Sequence, residues 1–308
     1  MDKLIEFTVP VYKTDPELLT RCIKSILDAV DRADIRDLFQ LVIVNDCSPN
    51  WESQFKAIQS LVTDKGGEIG ENILIANHNV NKGLGESRNT GLRYSKAKWV
   101  WFVDSDDTLP EFGTNPIIAY LKSGDADKFD IIRCNTDRVD KDGNHSPMYF
   151  NTDKCTEVSA RDCITDSILY PAASWTKIFK VDSIKKSGIK FPKGFFIEDQ
   201  VFTLRYLLTN PKIKLFPTSV YEYHEVSDST MMMDWDVRHL IDVYKYTHFS
   251  TRILKDYNLY GDNSRTRELL ATLDRYNDSY EKLSTEDKYK LNDLISEFKS
   301  NFLDYLNL

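Results

Sequence analysis

The residues best placed to do chemistry are Asp104, Asp106 and Asp107, three carboxylates that end the apolar run Trp99-Val100-Trp101-Phe102-Val103. Carboxylates about 4 Å apart repel by a few kcal/mol even at an effective dielectric near 20. A strand that brings this much negative charge to its tip calls for a cation. Oxygen ligands suit Mg²⁺ or Mn²⁺, which bind through one or two carboxylates and the phosphates of a substrate, so the implied chemistry is a metal–phosphate site. A second acidic pair, Glu198-Asp199, stands before Val201, Phe202, Leu204, Tyr206, Leu207 and Leu208, whose spacing predicts a helix. Acids in a first turn suit the helix dipole; they either start the helix or accept protons. His224 follows a strand predicted over Lys214-Leu215-Phe216. Its imidazole is either a packed side chain or a ligand for metal or diphosphate.

The elements around these residues alternate. Leu4–Val9 reads as a short strand closed by Pro10, ahead of Val11 and Tyr12. Asp15 as cap and Pro16 at the first position then open a helix carrying Leu18, Leu19, Cys22, Ile23, Ile26, Leu27 and Val30. Phe39–Val44 is a second strand, ending in the Asx-turn sequence Asn45-Asp46-Cys47-Ser48-Pro49, and a helix follows over Trp51–Val62. Asn72–Ala76 is a third strand, succeeded by Asn81-Lys82-Gly83-Leu84-Gly85 and a helix with Ser87, Arg88, Asn89 and Gly91. The Trp99 run is the fourth. Such alternation implies an α/β fold with a Rossmann-like, mostly parallel sheet, in which ligands bind beyond the carboxyl ends of the strands. Pro10, Tyr12, Asp46, Asn81, Gly83, Arg88 and Asp104–Asp107 all follow strands, and therefore share one rim.

In this order the motifs resemble the family 2 glycosyltransferases of the GT-A fold, inverting enzymes that use nucleotide-diphosphate sugars. Val9-Pro10-Val11-Tyr12 is similar to the family's first-strand motif, and Val44–Pro49 to its Val-Asp-Asp-Gly-Ser turn, which implies that Asp46 reads the base edge. Asn81–Leu92 resembles the Asn-x-Gly…Ala-Arg-Asn-x-Gly segment, with Arg88 facing the nucleotide. Phe102–Asp107 matches the DxD-type motif: by likeness Asp106 and Asp107 handle ribose and metal–diphosphate, and Asp104 supports the loop or touches the nucleotide. Ser174–Phe179 resembles a Trp-Asn-Lys segment and Phe191–Phe202 the segment holding a catalytic acidic pair; Trp175, beside Lys177 and ahead of that pair, reads with Lys177 as an acceptor residue. The resemblance thus implies Asp199 as general base with Glu198 as orienting partner or alternative base, Mn²⁺ or Mg²⁺ on Asp107 and Asp106, and a loop at Ser229-Thr230 over the donor; His224 joins them as a candidate ligand by its imidazole chemistry. Asn45, Cys47 and Ser87 depart from the pattern; Cys47 matters most, since Gly there tolerates a positive φ. The aromatic residues Tyr170, Trp175, Phe195, Phe196, Tyr221 and Tyr223 suit either an acceptor wall or the core.

The 308 residues carry 48 acidic against 40 basic side chains, a net charge of −8 without the basic stripe expected of a general phosphate-backbone binder. Cys22, Cys47, Cys134, Cys155 and Cys163 are odd in number and lack metal-ligand spacing, the pattern of reduced thiols in a cytoplasmic enzyme. No apolar run reaches the ~18 residues of a membrane span, which leaves peripheral contact with a membrane as the remaining association. Residues 1–229 are expected to form the catalytic domain, split into a nucleotide-binding half (1–110) and an acceptor half (111–229). Residues 230–308 form a helical extension, with helices over Trp235–Tyr257, Arg265–Tyr280 and Thr285–Leu306 that dock on the domain, shape the acceptor site or join copies of the chain. Met231-Met232-Met233 reads as a gap-filling loop or a partner surface.

The expected function is metal-dependent inverting transfer from a UDP-sugar to a hydroxyl acceptor in glycan or polysaccharide synthesis. Two alternatives stand beside it. Asp104-Ser105-Asp106-Asp107-Thr108 also spells the Asp-x-Asp-x-Thr of haloacid-dehalogenase-like phosphatases, which carry it on their first strand. A binding module would keep the pocket without transferring anything, yet it would have no need of Asp107 or Glu198-Asp199.

Overall fold

The computed structural model describes residues 3–66, 70, 72–148, 156–167, 171–225 and 235–300. Cys155, Tyr170, Ser227–Thr230, Met231–Met233, Phe302, Leu306 and the expected domain boundary at 229/230 lie outside the described residues.

The first half is built of β1 (Lys3–Val11), α1 (Pro16–Arg32), β2 (Phe39–Asn45), α2 (Trp51–Asp64), β3 (Ile73–Asn77), α3 (Leu84–Tyr94) and β4 (Ala97–Phe102). Its four strands pair in parallel in the order β3-β2-β1-β4. Every residue of β2 is buried, as a parallel strand covered on both faces requires. The Asp15 carboxylate caps α1 by accepting from Glu17 N at 2.8 Å. Leu19, Cys22, Ile23, Ile26, Leu27, Ala29 and Val30 turn inward from that helix, each large aliphatic contributing about 1.5–3 kcal/mol of burial.

Pro10 does not close β1. The strand runs on through Pro10 to Val11, because β4 leaves the ladder first: Val103 N donates to Thr8 O on the β4 side and Asp46 N to Val11 O on the β2 side. Backbone groups alternate sides along a strand, so the missing N–H of Pro10 falls on the side β4 has vacated.

The second half holds α4 (Thr114–Ser123), β5 (Ile131–Val139), β6 (His145–Pro147), β7 (Glu157–Val158), α5 (Ala160–Thr165), β8 (Lys177–Lys180), α6 (Val181–Ser187), α7 (Glu198–Leu207) and β9 (Ile213–His224). Its strands extend the sheet to β3-β2-β1-β4-β8-β5-β9-β7, with β6 on β5 off that path. Pairing here is mixed: β8 is antiparallel to β4 and β5, while β9 is parallel to β5. The strand predicted over Lys214–Phe216 continues to His224. Beyond Pro217 its ladder with β5 resumes in a shifted register, Asn135 opposite Ser219 and Val139 opposite His224, so the partner strand supplies the order that local sequence does not.

The three expected C-terminal helices are α8 (Val237–Asp256), α9 (Ser264–Lys282) and α10 (Thr285–Ser300). Ser284 Oγ accepts from Asp287 N at 3.1 Å and caps α10. Leu291 and Phe298 of α10 are buried, and Leu240, Ile241 and Val243 of α8 pack with Leu291, Phe196 and Ile197. The extension therefore docks on the loop before α7. No helix among the described residues is long and apolar enough to cross a membrane.

Candidate active site

The centre of the site is Arg88. Its guanidinium is fully buried, and it donates from Nη2 to Asp104 Oδ1 (2.7 Å) and from Nη1 to Glu198 Oε1 (2.5 Å) and Asp199 Oδ1 (2.6 Å). It reaches them because α3 lies low on the sheet. A Cβ on Gly91 would sit 2.3 Å from Thr8 Cγ2, and one on Gly85 would sit 2.6 Å from Pro192 O and 3.1 Å from Glu198 Cγ. Arg88, expected beside a nucleotide, is held by three carboxylates, and none of it meets solvent. Burial opposes its charge, but Asp199, Asp104 and Glu198 more than compensate, and it titrates above its ordinary range.

Glu198 and Asp199 open α7, as the spacing predicted. Burial, then the charge of Asp199, pushes Glu198 up to about 8. Asp199 is the more open of the two, with 17% of its side chain exposed against 5%. Its Oδ2 accepts from Ser174 N at 3.0 Å.

The turn after β4 divides its acids between two tasks. Asp107 is buried, accepting from Tyr221 OH at 2.7 Å and from His224 N at 2.9 Å, while Asp104 N donates to the same Tyr221 oxygen. Burial, with the charges of Asp106 and Asp104, raises Asp107 well above the usual range. Asp107, the expected metal ligand, thus ties the turn to β9. Asp106 is half-buried, and its carboxylate makes no ion pair among the described residues. Burial and the neighbouring Asp104 push it up to about 6. Arg21 holds the turn through Asp106 O at 2.6 Å. His224 Nε2 lies 2.7 Å from Thr108 Oγ1, and burial, then the Arg21 charge, lowers the imidazole to about 4, so it is neutral at physiological pH. Among the described residues no three His, Cys, Asp or Glu side chains are grouped to hold an ion by themselves.

Asp46 is also committed. Oδ1 takes Lys82 N (2.8 Å) and faces His78 Nδ1 (2.6 Å), and Oδ2 takes Gly83 N (2.8 Å). At 3% exposure it fastens the β2 tip to the loop before α3. Asn81 is exposed and reaches Asp46 O at 3.4 Å; Gly83 takes the positive φ of 86° that begins α3. Cys47 occupies the left-handed region at φ 58° despite its Cβ, a strain of about 1–2 kcal/mol. Asn45 Oδ1 accepts from Ser48 N at 2.9 Å and forms the expected turn. Pro10 is buried, whereas Tyr12 projects at 43% exposure from the end of β1.

The two residues expected at the acceptor, Lys177 and Trp175, are both buried. Lys177 is fully buried, its Nζ donating to Pro171 O, Ala173 O and Thr176 Oγ1; burial and the nearby Arg133 charge lower it well below its ordinary range. Trp175 is 6% exposed and stacks on Tyr221 and Tyr223 at 4.8 and 5.7 Å between centroids. Both brace the cleft from behind. Sequence reasoning missed His78, which follows β3 as directly as Asp46 follows β2 and was findable by the same strand-tip rule. It also missed Asp242 of α8, buried, whose Oδ2 accepts from Phe196 N at 2.9 Å just ahead of Glu198. No local pattern marks that contact.

Residues 7–179, more than half of the chain, match the sequence profile described as "Glycosyl transferase family 2". The chain is 30% identical over 229 residues to "Poly(ribitol-phosphate) beta-N-acetylglucosaminyltransferase TarP" of Staphylococcus aureus, covering 73% of this chain and 63% of that protein, less than two thirds of its length. It is 25% identical over 266 residues to glycosyltransferase GlyG of Streptococcus pneumoniae, 79% of each chain. Among solved structures, S. aureus TarS 1–349 in complex with UDP-GlcNAc superposes with a TM-score of 0.65 at 21% identity, over 96% of this chain and 80% of that one. The mannosyltransferase PcManGT from Pyrobaculum calidifontis in complex with GDP-Man and Mn²⁺ gives 0.57 at 13%, over 97% and 81%. These likenesses show a shared GT-A fold. The phosphatase reading loses its basis, since the acidic turn ends the fourth strand and not the first. A profile match over that length decides membership: this chain belongs to glycosyl transferase family 2.

Proposed function

We propose that the protein is a metal-dependent, inverting glycosyltransferase that moves a sugar from a nucleotide-diphosphate donor, a UDP-sugar, to a hydroxyl acceptor in glycan or polysaccharide assembly. One observation carries the reading: a single buried guanidinium joins Asp104 at the tip of β4 to Glu198-Asp199 at the start of α7. The end of the cleft suited to a diphosphate and the end suited to a proton acceptor are thereby fixed against each other. The UDP-GlcNAc in the TarS structure and the name of TarP support the choice of donor.

Asp199 is the general base in this reading. Arg88 and Ser174 N fix its two oxygens, so a lone pair is held ready for the acceptor's proton. Glu198, its pKa raised by burial and by the charge of Asp199, orients Arg88. Attack from the Asp199 side, opposite the leaving diphosphate, inverts the anomeric carbon. Asp106, with Asp104 beside it, fits Mn²⁺ or Mg²⁺: both are oxygen donors, and Asp106 makes no ion pair among the described residues. When bound, the ion supplies neutralisation of the charge developing on the diphosphate. Neutral His224 is placed on the diphosphate side, and the exposed ring of Tyr12 offers a face for the base.

The test is an Asp199→Asn variant assayed with UDP-sugars and Mn²⁺. Donor binding, read as a rise in melting temperature, should persist while turnover falls by about 10²–10⁴, the usual worth of a general base. Normal turnover in the variant would refute the assignment, and a wild type that neither hydrolyses nor transfers from any nucleotide sugar would leave a binding protein.

A further inference from the structure

The segment from α6 to α7 runs antiparallel along α3, hydrogen-bonded to it at two places and close to it at a third. At the C-terminal end of α3, Lys185 Nζ donates to Ser95 O at 3.3 Å. In the middle, Asn89 holds both backbone groups of Phe191, Nδ2 to the carbonyl at 2.9 Å and Oδ1 to the N–H at 3.0 Å. At the start of α3, a Cβ on Gly83 would lie 3.7 Å from Gly194 Cα. With eleven residues in α3 the line is about 16 Å long, and it ends at Glu198-Asp199. Between positions 181 and 194 the chain places four lysines against one aspartate. Lys186, Lys190 and Lys193 are exposed, as is Lys96 beyond the far end of α3, and none of the four forms an ion pair among the described residues.

We propose that this line of lysines is the track on which a polyanionic acceptor, a chain with repeating phosphodiesters, is led to Asp199; the proposal rests on the transferase reading. The charge pattern favours it, because a chain of net charge −8 repels polyanions in general and attracts them only where uncompensated cations cluster within a Debye length of about 8–10 Å. The geometry selects a polymer over a membrane. The cations follow a file that leads to a half-buried carboxylate, and a flexible chain can present both phosphates to the file and a hydroxyl to Asp199, whereas a bilayer surface cannot enter the cleft.

The test compares the wild type with the variant Lys186→Gln/Lys190→Gln/Lys193→Gln for binding to poly(ribitol phosphate), to phosphatidylglycerol vesicles and to neutral dextran. The expected result is salt-sensitive binding of the polymer by the wild type, weakened about tenfold or more in the variant, with no binding of dextran. The UDP–Mn²⁺ thermal shift and the melting temperature should be unchanged, since all three side chains are exposed. Equal polymer binding by both proteins overturns the track, and so does wild-type binding to vesicles alone. Failure of the transferase reading looks different: the track-dependent binding would remain while no sugar reached the polymer.

Discussion

Replacing Arg88 by methionine separates a structural hub from a phosphate contact. In the wild type one buried cation faces Asp104, Glu198 and Asp199 at 2.5–2.7 Å. Without it, like charges at about 4 Å repel by roughly 4 kcal/mol at an effective dielectric of 20. The carboxylates escape by taking up protons, which caps the loss. Holding an aspartate of ordinary pKa 3.8 protonated at pH 7 costs (7 − 3.8) × 1.36, about 4 kcal/mol, in line with the roughly 3–5 kcal/mol for breaking a buried ion pair. At pH 5 the same cap is (5 − 3.8) × 1.36, about 1.6 kcal/mol. The sign follows: a carboxyl whose folded pKa is raised stabilises the fold below its unfolded pKa and loses that contribution as pH rises, so the deficit of the variant grows with pH. Urea unfolding followed by tryptophan fluorescence, without nucleotide, should show Arg88→Met less stable by about 3–5 kcal/mol at pH 7 and by less than half that at pH 5. A variant as stable as the wild type at pH 7 but deficient in binding UDP would refute the hub and return Arg88 to the nucleotide.

Two further perturbations test the support of the site. Glu6 is buried on β1 with Thr8 Oγ1 donating to it at 2.6 Å, and burial raises it to about 7. Its stabilising contribution is complete below pH 4.5 and is lost as pH rises through 7, so Glu6→Gln should gain up to about 3 kcal/mol on the wild type between pH 5 and 8; parallel urea midpoints at the two pH values would argue against it. Asp242→Ala removes the acceptor of Phe196 N and should lower kcat about tenfold with little change in donor KM, while Asp242→Asn, which keeps an acceptor oxygen, restores it. An equal loss in both variants would show that charge, not the hydrogen bond, is what matters.

Much of the first half was legible because parallel strands and their helices are specified locally. Asp15-Pro16 starts α1, the alternation of strand and helix gives four parallel strands, and the rule that ligands gather at strand ends brought Asp46, Arg88 and Asp104–Asp107 to one region, while Glu198-Asp199 joined them only through the family resemblance. The division of labour among those residues was not legible. Asp107 and Asp106 are adjacent, yet one is fastened by Tyr221 and His224, more than a hundred residues away in sequence, and the other is left open. Lys177 and Trp175 looked like acceptor contacts because residue type does not reveal depth; backbone carbonyls and an aromatic stack claim them. Cys47 took the glycine conformation because the flanking turn, held by Asn45 and Ser48, leaves the backbone no alternative.

Sequence by itself determined the elements, the acid-rich turn and the helix that Glu198-Asp199 opens, since propensity, capping and apolar period act over a few residues. Tertiary structure alone decided which carboxylates are occupied and which are available. That choice depends on desolvation and on hydrogen bonds from distant β9, α3 and α8, and neither can be counted until the chain has packed.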